Sequence, residues 1–169
     1  MPTPANAYGD SKLKAEEGIL ALESDNFKIV ILRVPMVYGK GCKGNYPLLV
    51  KLSLRTPFFP KVTNERSMIY IANLLEFVRL MIENEEQGVF WPCNAEYSNT
   101  SEMVQMIASV HGKKIMLLPG LSWIIRGMGC LFKVFNKAFG NLVYDVQIGR
   151  YKENYRKYTL RESIKEIEE

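Results

Sequence analysis

Tyr8-Gly9-Asp10-Ser11-Lys12 sets a phenol and an ammonium four residues apart. On a helix, that spacing places both on one face. A free tyrosine titrates at about 10, and a nearby ammonium favours the phenolate and lowers that value. Such a phenol can take a proton and later return it, as general base and then general acid. The chain has nine tyrosines, so the spacing alone is also compatible with a chance pairing.

Other residues of chemical interest lie downstream. Pro35 and Val37 sit in a glycine-rich stretch with Gly39, Gly41 and Gly44. Asn45 stands just before Pro47, and Arg66 opens the run Arg66-Ser67-Met68-Ile69-Tyr70-Ile71. Each has a plain reading as well. Pro35 and its glycines suit a strand-exit loop, Asn45 suits a helix cap, and Arg66 suits a solvated surface charge. The sole histidine, His111, precedes Gly112 at an expected helix end and reads as a C-terminal cap. Cys42, Cys93 and Cys130 are far apart and form no CxxC pair. No His, Cys and carboxylate cluster suggests a metal site.

The elements that must position these groups follow from periodicity and breakers. Residues 8–24 read as a helix stopped by Asp25-Asn26. Strands are expected over 28–32, 67–71, 88–93 and 114–118, with a loop over 33–45. Helices are expected from Pro47 to about Arg55, over 73–84, and from Asn99 to about Val110. A long helix is expected over 121–139, and a last one behind Thr159 and Glu162, which have capping-box spacing. Helices alternating with short strands argue for an α/β fold.

Composition narrows the class. The 169 residues suffice for one domain with a core, at 47% hydrophobic and 24% charged. A net charge of +4, from 22 basic and 18 acidic residues, comes without a dense basic run, which argues against a nucleic-acid partner. The scattered cysteines suit a reduced, cytoplasmic setting. No signal peptide or membrane-spanning stretch is expected.

Taken together, YGDSK at 8–12, LRVPMVYGKG at 32–41 and RSMIYIANL at 66–74 resemble the extended short-chain dehydrogenase/reductases, the NAD-dependent epimerase/dehydratase family. The resemblance covers about residues 1–110 and is nearest in kind to 4-epimerases of diphosphate-linked sugars. It implies that Tyr8 exchanges a proton with the sugar hydroxyl and that Lys12 holds the nicotinamide ribose and tunes Tyr8. Pro35 and Val37 would lie beside the nicotinamide, Asn45 would contact the substrate, and Arg66 would pair with its diphosphate. The implied reaction is oxidation at C4 by bound NAD, rotation of the keto sugar, and hydride return to the other face.

Three departures accompany the matches. The family's N-terminal glycine-rich turn and its upstream Ser or Thr have no counterpart here. Ala72 stands where the family commonly carries Asp, which puts a local hydrogen bond in doubt. The expectation is therefore a C-terminal portion of a Rossmann-type epimerase, inactive by itself. Residues 1–45 would end the dinucleotide-binding domain and 46–169 would form the substrate-binding region. The helix at Tyr8 would lack the sheet it normally covers, leaving Leu13 and Leu20 partly bare and favouring self-association. A related dehydratase or reductase, or a non-catalytic chain binding a sugar diphosphate or a membrane surface, are the competing expectations.

In residues 121–139, Arg126, Lys133 and Lys137 share one narrow helical face opposite Ile124, Met128, Leu131 and Phe135. Two readings stay open: a packed helix with a solvated basic side, or a helix lying on an anionic membrane surface. The second would suit a lipid-linked sugar diphosphate at the inner membrane surface. Under it, Lys133→Glu with Lys137→Glu weakens binding to anionic vesicles in a flotation assay. A wild-type chain that ignores such vesicles removes the membrane reading.

Overall fold

The structure, a computed structural model, describes residues 6–120 and 143–169. The expected helix over 121–139 lies outside the described residues. Helix α1 spans Ala7–Leu20, shorter than expected, and Asn6 caps it by accepting from the Gly9 amide at 2.9 Å. Then follow β1 (Val30–Leu32), β2 (Met36–Tyr38), α2 (Tyr46–Arg55), β3 (Phe58–Pro60), β4 (Met68–Tyr70) and α3 (Ile71–Glu83). The remaining elements are β5 (Gly88–Phe90), α4 (Thr100–Val110), β6 (Met116–Leu118) and α5 (Leu160–Glu168). No helix among the described residues is long and apolar enough to cross a membrane.

The strands form three two-stranded sheets: β1 with β5, β2 with β4, and β3 with β6. Every ladder is parallel. Parallel strands need long crossovers, usually helical, and the α/β reading holds on that account. Two strands were not expected. Met36-Val37-Tyr38 is pinched between Pro35 and Gly39, too short to show a period. Phe58-Phe59-Pro60 ends in a proline, which argues against a strand on local grounds. Both owe their extended form to the partner strands beside them.

All three residues of β4 are buried. Alternate side chains of a strand face opposite ways, so Met68 and Tyr70 enter one cluster with Tyr38, Leu49, Val104, Ile107 and Ile164. Ile69 enters the other, with Phe77, Leu80, Met81 and Tyr155. There Tyr155 meets Phe77 edge to face at 4.6 Å between ring centroids. Buried Asn73 donates to the Tyr158 carbonyl at 2.9 Å and accepts from the Tyr158 amide at 3.0 Å. Asn73 also donates to the Asn94 side-chain oxygen at 3.3 Å, which accepts in turn from the Tyr70 amide at 3.1 Å.

The other end of Asn94 donates to the Tyr38 hydroxyl at 2.9 Å, and that hydroxyl lies 2.6 Å from the Ser163 hydroxyl on α5. Burial pushes the Tyr38 phenol up to about 12, although the bonds from Ser163 and Asn94 oppose the shift. Helix α5 starts with a complete capping box: Thr159 accepts from the Glu162 amide while the Glu162 carboxylate accepts from the Thr159 amide. At its far end the buried Glu168 carboxylate accepts from Tyr46 at 2.9 Å and lies 2.7 Å from the His111 ring. His111 is the C-cap of α4, as expected.

Two outcomes follow from these contacts. Tyr38→Phe leaves the buried Asn94 amide short of an acceptor and costs about 1–3 kcal/mol by denaturant unfolding at pH 7. The Tyr38 contribution is present below the unfolded value of about 10 and is lost as pH rises toward the folded value of about 12. The gap between wild type and Tyr38→Phe should therefore narrow over that window; a constant gap contradicts the assignment. Asn73→Asp keeps the acceptor for the Tyr158 amide but sets a carboxylate against its carbonyl, and should cost about 2–4 kcal/mol on the same assay.

Candidate functional site

Tyr8 and Lys12 share one face of α1, as the spacing requires. The Lys12 ammonium sits over the Tyr8 ring, 5.6 Å from its centroid. The pair is open to solvent, with Tyr8 72% exposed. Helix α1 buries none of its residues; Leu13 and Leu20 are half-covered, and Ile19 and Leu22 are exposed. This matches the expected bare apolar side.

What fastens α1 is a residue the sequence did not single out. Arg33, just past β1, forms an ion pair with Glu16 of α1 through two guanidinium nitrogens. Its guanidinium also lies over the Trp91 ring at 5.6 Å, and its backbone amide donates to the Phe90 carbonyl at 2.9 Å. A planar cation with several donors can serve a carboxylate and a ring together. Only the tertiary placement of Glu16 and Trp91 reveals that role.

Pro35 is buried in the link between β1 and β2. Val37 is the middle residue of β2, paired in register with Ile69, and packs against the Phe77 cluster. No hydrogen bond, ion pair or ring contact joins Tyr8 or Lys12 to either of them. Tyr8, expected at both sugar and cofactor, and Lys12, Pro35 and Val37, expected at the nicotinamide, therefore do not converge on contacts of their own.

Asn45 and Arg66 do converge. Both line a crevice with Met36, Leu49, Met68, Thr100 and Met103. The crevice offers about 10 Å³, the room for one water molecule. Asn45 stands at the N-cap of α2, yet its side chain makes no capping bond; its backbone carbonyl accepts from Leu48 and Leu49 instead. The side-chain cap expected on local grounds is absent. The Arg66 backbone pairs with Ser98 in a short antiparallel bridge. Burial pulls its guanidinium below the ordinary value, so Arg66 is partly withdrawn from water rather than a fully solvated surface charge.

Residues 33–45, expected as a plain loop, hold a second feature. Gly39-Lys40-Gly41-Cys42-Lys43-Gly44 has G-x-G-x-x-G spacing between β2 and α2. Glycines so placed let backbone amides approach a phosphate. Gly41 and Gly44 have positive φ, at 76° and 135°, and a Cβ on Gly39 would collide with Ile71. Lys40 and Lys43 are exposed on this loop. The pattern becomes legible once β2 is known to precede it.

The loop is not a dinucleotide fingerprint. Pro47 in the first turn of α2 withdraws one amide. The next parallel strand, β4, runs into Ile71-Ala72-Asn73, with no carboxylate at its end to meet a ribose. With Tyr8 exposed and this loop incomplete, the described residues do not fit NAD on their own. Among the described residues no group of three or more His, Cys, Asp or Glu could hold a metal.

No family model matches the chain. It is 31% identical over 152 residues to the UDP-glucose 4-epimerase of Vibrio cholerae, covering 85% of this chain and 46% of that protein. It is 27% identical over 146 residues to the N-acetyl-alpha-D-glucosaminyl-diphospho-ditrans,octacis-undecaprenol 4-epimerase of Escherichia coli O157:H7, covering 81% and 44%. Among solved structures, the UDP-N-acetylglucosamine 4-epimerase of Bacillus cereus superposes with a TM-score of 0.64 at 17% identity, over 99% of this chain and 54% of that one. This last likeness speaks for the fold alone. The chain spans about half the length of the relatives it matches. On these matches and on the motifs at 8–12, 32–41 and 66–74, the chain belongs to the NAD-dependent epimerase/dehydratase family of extended short-chain dehydrogenase/reductases.

Proposed function

We propose that this chain carries the proton-transfer pair and the diphosphate contacts of a 4-epimerase acting on a diphosphate-linked sugar. The observation that carries the reading is the meeting of Asn45 and Arg66, from separate segments, at one crevice. An arginine and an asparagine lining one crevice suit a diphosphate, because charge-assisted bonds to phosphate are strong and directional. The crevice admits little more than a water, so the ligand would bind at its rim. The exposed Lys40 and Lys43 loop adds positive charge on the approach to α2.

In this reading Tyr8 exchanges a proton with the sugar hydroxyl, and the Lys12 ammonium lies over its ring. NAD, when bound by a complete protein, supplies the redox chemistry. Pro35 and Val37 would border it from the β1–β2 link and from β2. The carrier of the sugar is a nucleotide or a polyprenyl lipid; the relatives in Vibrio cholerae and Escherichia coli differ on that point by their names. A cytoplasmic site of action accords with either.

The exposure of Tyr8 on a helix that buries nothing favours a second reading: by itself the chain binds a sugar diphosphate without turning it over. Titration calorimetry with UDP-glucose tests the binding. Wild type should bind, and Asn45→Ala and Arg66→Lys should each weaken binding about tenfold, the scale of one charge-assisted bond. Absence of binding, or binding indifferent to both substitutions, overturns the site. Epimerised product from this chain with added NAD would overturn the second reading.

A further inference from the structure

We infer that the outer face of the β3–β6 ribbon docks on an anionic lipid membrane. Phe58 and Met116 enter the bilayer interface there, and the basic residues around them meet the headgroups.

The two faces of the ribbon are unlike. Phe59 is buried in the larger cluster, and Leu117 packs against that cluster. Side chains alternate along a strand, so Phe58, Pro60, Met116 and Leu118 take the other face. Phe58 and Met116 are partners in register across the ladder and stand 54% and 60% exposed. Lys114-Ile115-Met116 carries the alternation back beyond β6: Ile115 is buried and its two neighbours are exposed. A parallel ladder is ordinarily covered on both faces, and this one presents two large apolar side chains side by side on its open face.

Charge identifies the partner. The basic residues form no dense run, yet no Asp or Glu occurs between Asp25 and Glu65, nor between Glu102 and Asp145. Strand β3 lies in the first stretch and β6 in the second, so their pairing joins two acid-free segments. Arg55 ends α2 shortly before Phe58, and Lys51 stands one turn earlier. Lys61 follows β3, and Lys113 and Lys114 precede β6. The Lys113 ammonium donates to the Leu54 carbonyl at 2.7 Å, which ties the turn after α4 to the end of α2. All five cations are exposed, and none is in an ion pair among the described residues.

The acids on the neighbouring helices are remote or engaged. Glu102 opens α4, at the far end of that helix from Lys113. Glu168 of α5 is held by Tyr46 and His111, and Glu169 pairs with Lys165. Exposed apolar side chains set among Lys and Arg suit an anionic bilayer, whose headgroups attract the cations and whose acyl boundary takes the apolar tips. A nucleic acid would also attract the cations, but it offers Met116 no apolar medium. Arg55 and Asn45 stand at opposite ends of α2, about 15 Å apart along a helix of ten residues. Docking here therefore keeps the crevice within reach of a sugar diphosphate carried by a lipid. Only that reach depends on the proposed site; lipid binding does not.

The test is flotation of the whole chain with vesicles of phosphatidylglycerol and phosphatidylcholine in equal parts. Wild type should float with them and not with phosphatidylcholine alone. Arg55→Gln with Lys114→Gln should weaken binding about 25-fold, about fivefold for each basic residue removed. Phe58→Ser should weaken it about tenfold. These side chains are exposed, so the melting temperature should stay at the wild-type value. Met116→Ser, on the other strand, gives the same reading should Phe58→Ser melt early. Absence of wild-type binding overturns the inference. So does binding that falls with Lys133→Glu and Lys137→Glu but ignores the ribbon variants, which assigns the contact to residues 121–139. Binding to duplex DNA as tight as to the vesicles, and indifferent to Phe58→Ser and Met116→Ser, marks a general polyanion surface and overturns it too. The vesicles hold no sugar diphosphate, so flotation and the UDP-glucose titration succeed or fail independently.

Discussion

The structure turns on one constraint: β4 is buried on both faces, so every polar group around it needs a partner inside the protein. Asn94 meets most of that need. Its side chain serves the Tyr70 amide, the Asn73 amide and the Tyr38 hydroxyl together. Through Tyr38 the network reaches Ser163 on α5, and through Asn73 it reaches Tyr158. Residues far apart in the chain are thereby held to one strand. Unpaired, each of these buried groups would cost on the order of 1–3 kcal/mol. The network thus sets the register in which the two hydrophobic clusters close on Met68, Ile69 and Tyr70.

That arrangement holds the crevice of Asn45 and Arg66 against the packed core. Met68 and Met36, neighbours across the β2–β4 ladder, line the same crevice as Asn45 and Arg66. The crevice is therefore a by-product of parallel pairing and of α2 packing on α4. Helix α5 backs this region, with Glu168 accepting from Tyr46 on α2 and meeting His111 at the end of α4. Burial and the neighbouring carboxylate both push the Tyr46 phenol up, so it stays a neutral donor to Glu168.

The Tyr8 and Lys12 pair stands differently. Helix α1 has a good cap and a formed Tyr8–Lys12 pair, but its attachment runs through Arg33, between Glu16 and the Trp91 ring. An ion pair and a cation over a ring give orientation without burying apolar area. The two parts of the proposed site thus rest on unlike supports, a packed core for Asn45 and Arg66 and a polar clasp for Tyr8.

By itself the sequence determined the helices found among the described residues, the four strands with clear apolar runs, the caps at Asn99 and Thr159, and the family motifs. Those features depend on neighbours within a few residues, where periodicity and capping chemistry act. Only the tertiary structure decided the rest. Met36-Val37-Tyr38 and Phe58-Phe59-Pro60 became strands because β4 and β6 run beside them. Asn45 became a crevice residue because its backbone, not its side chain, caps α2. Asn73, Asn94 and Arg33 gained their roles from partners distant in the chain, and no local pattern encodes a partner's address. Tyr8 and Lys12 show both sides of the division. Their spacing dictated that they would share a helix face, and the packing decided that this face stands open to solvent.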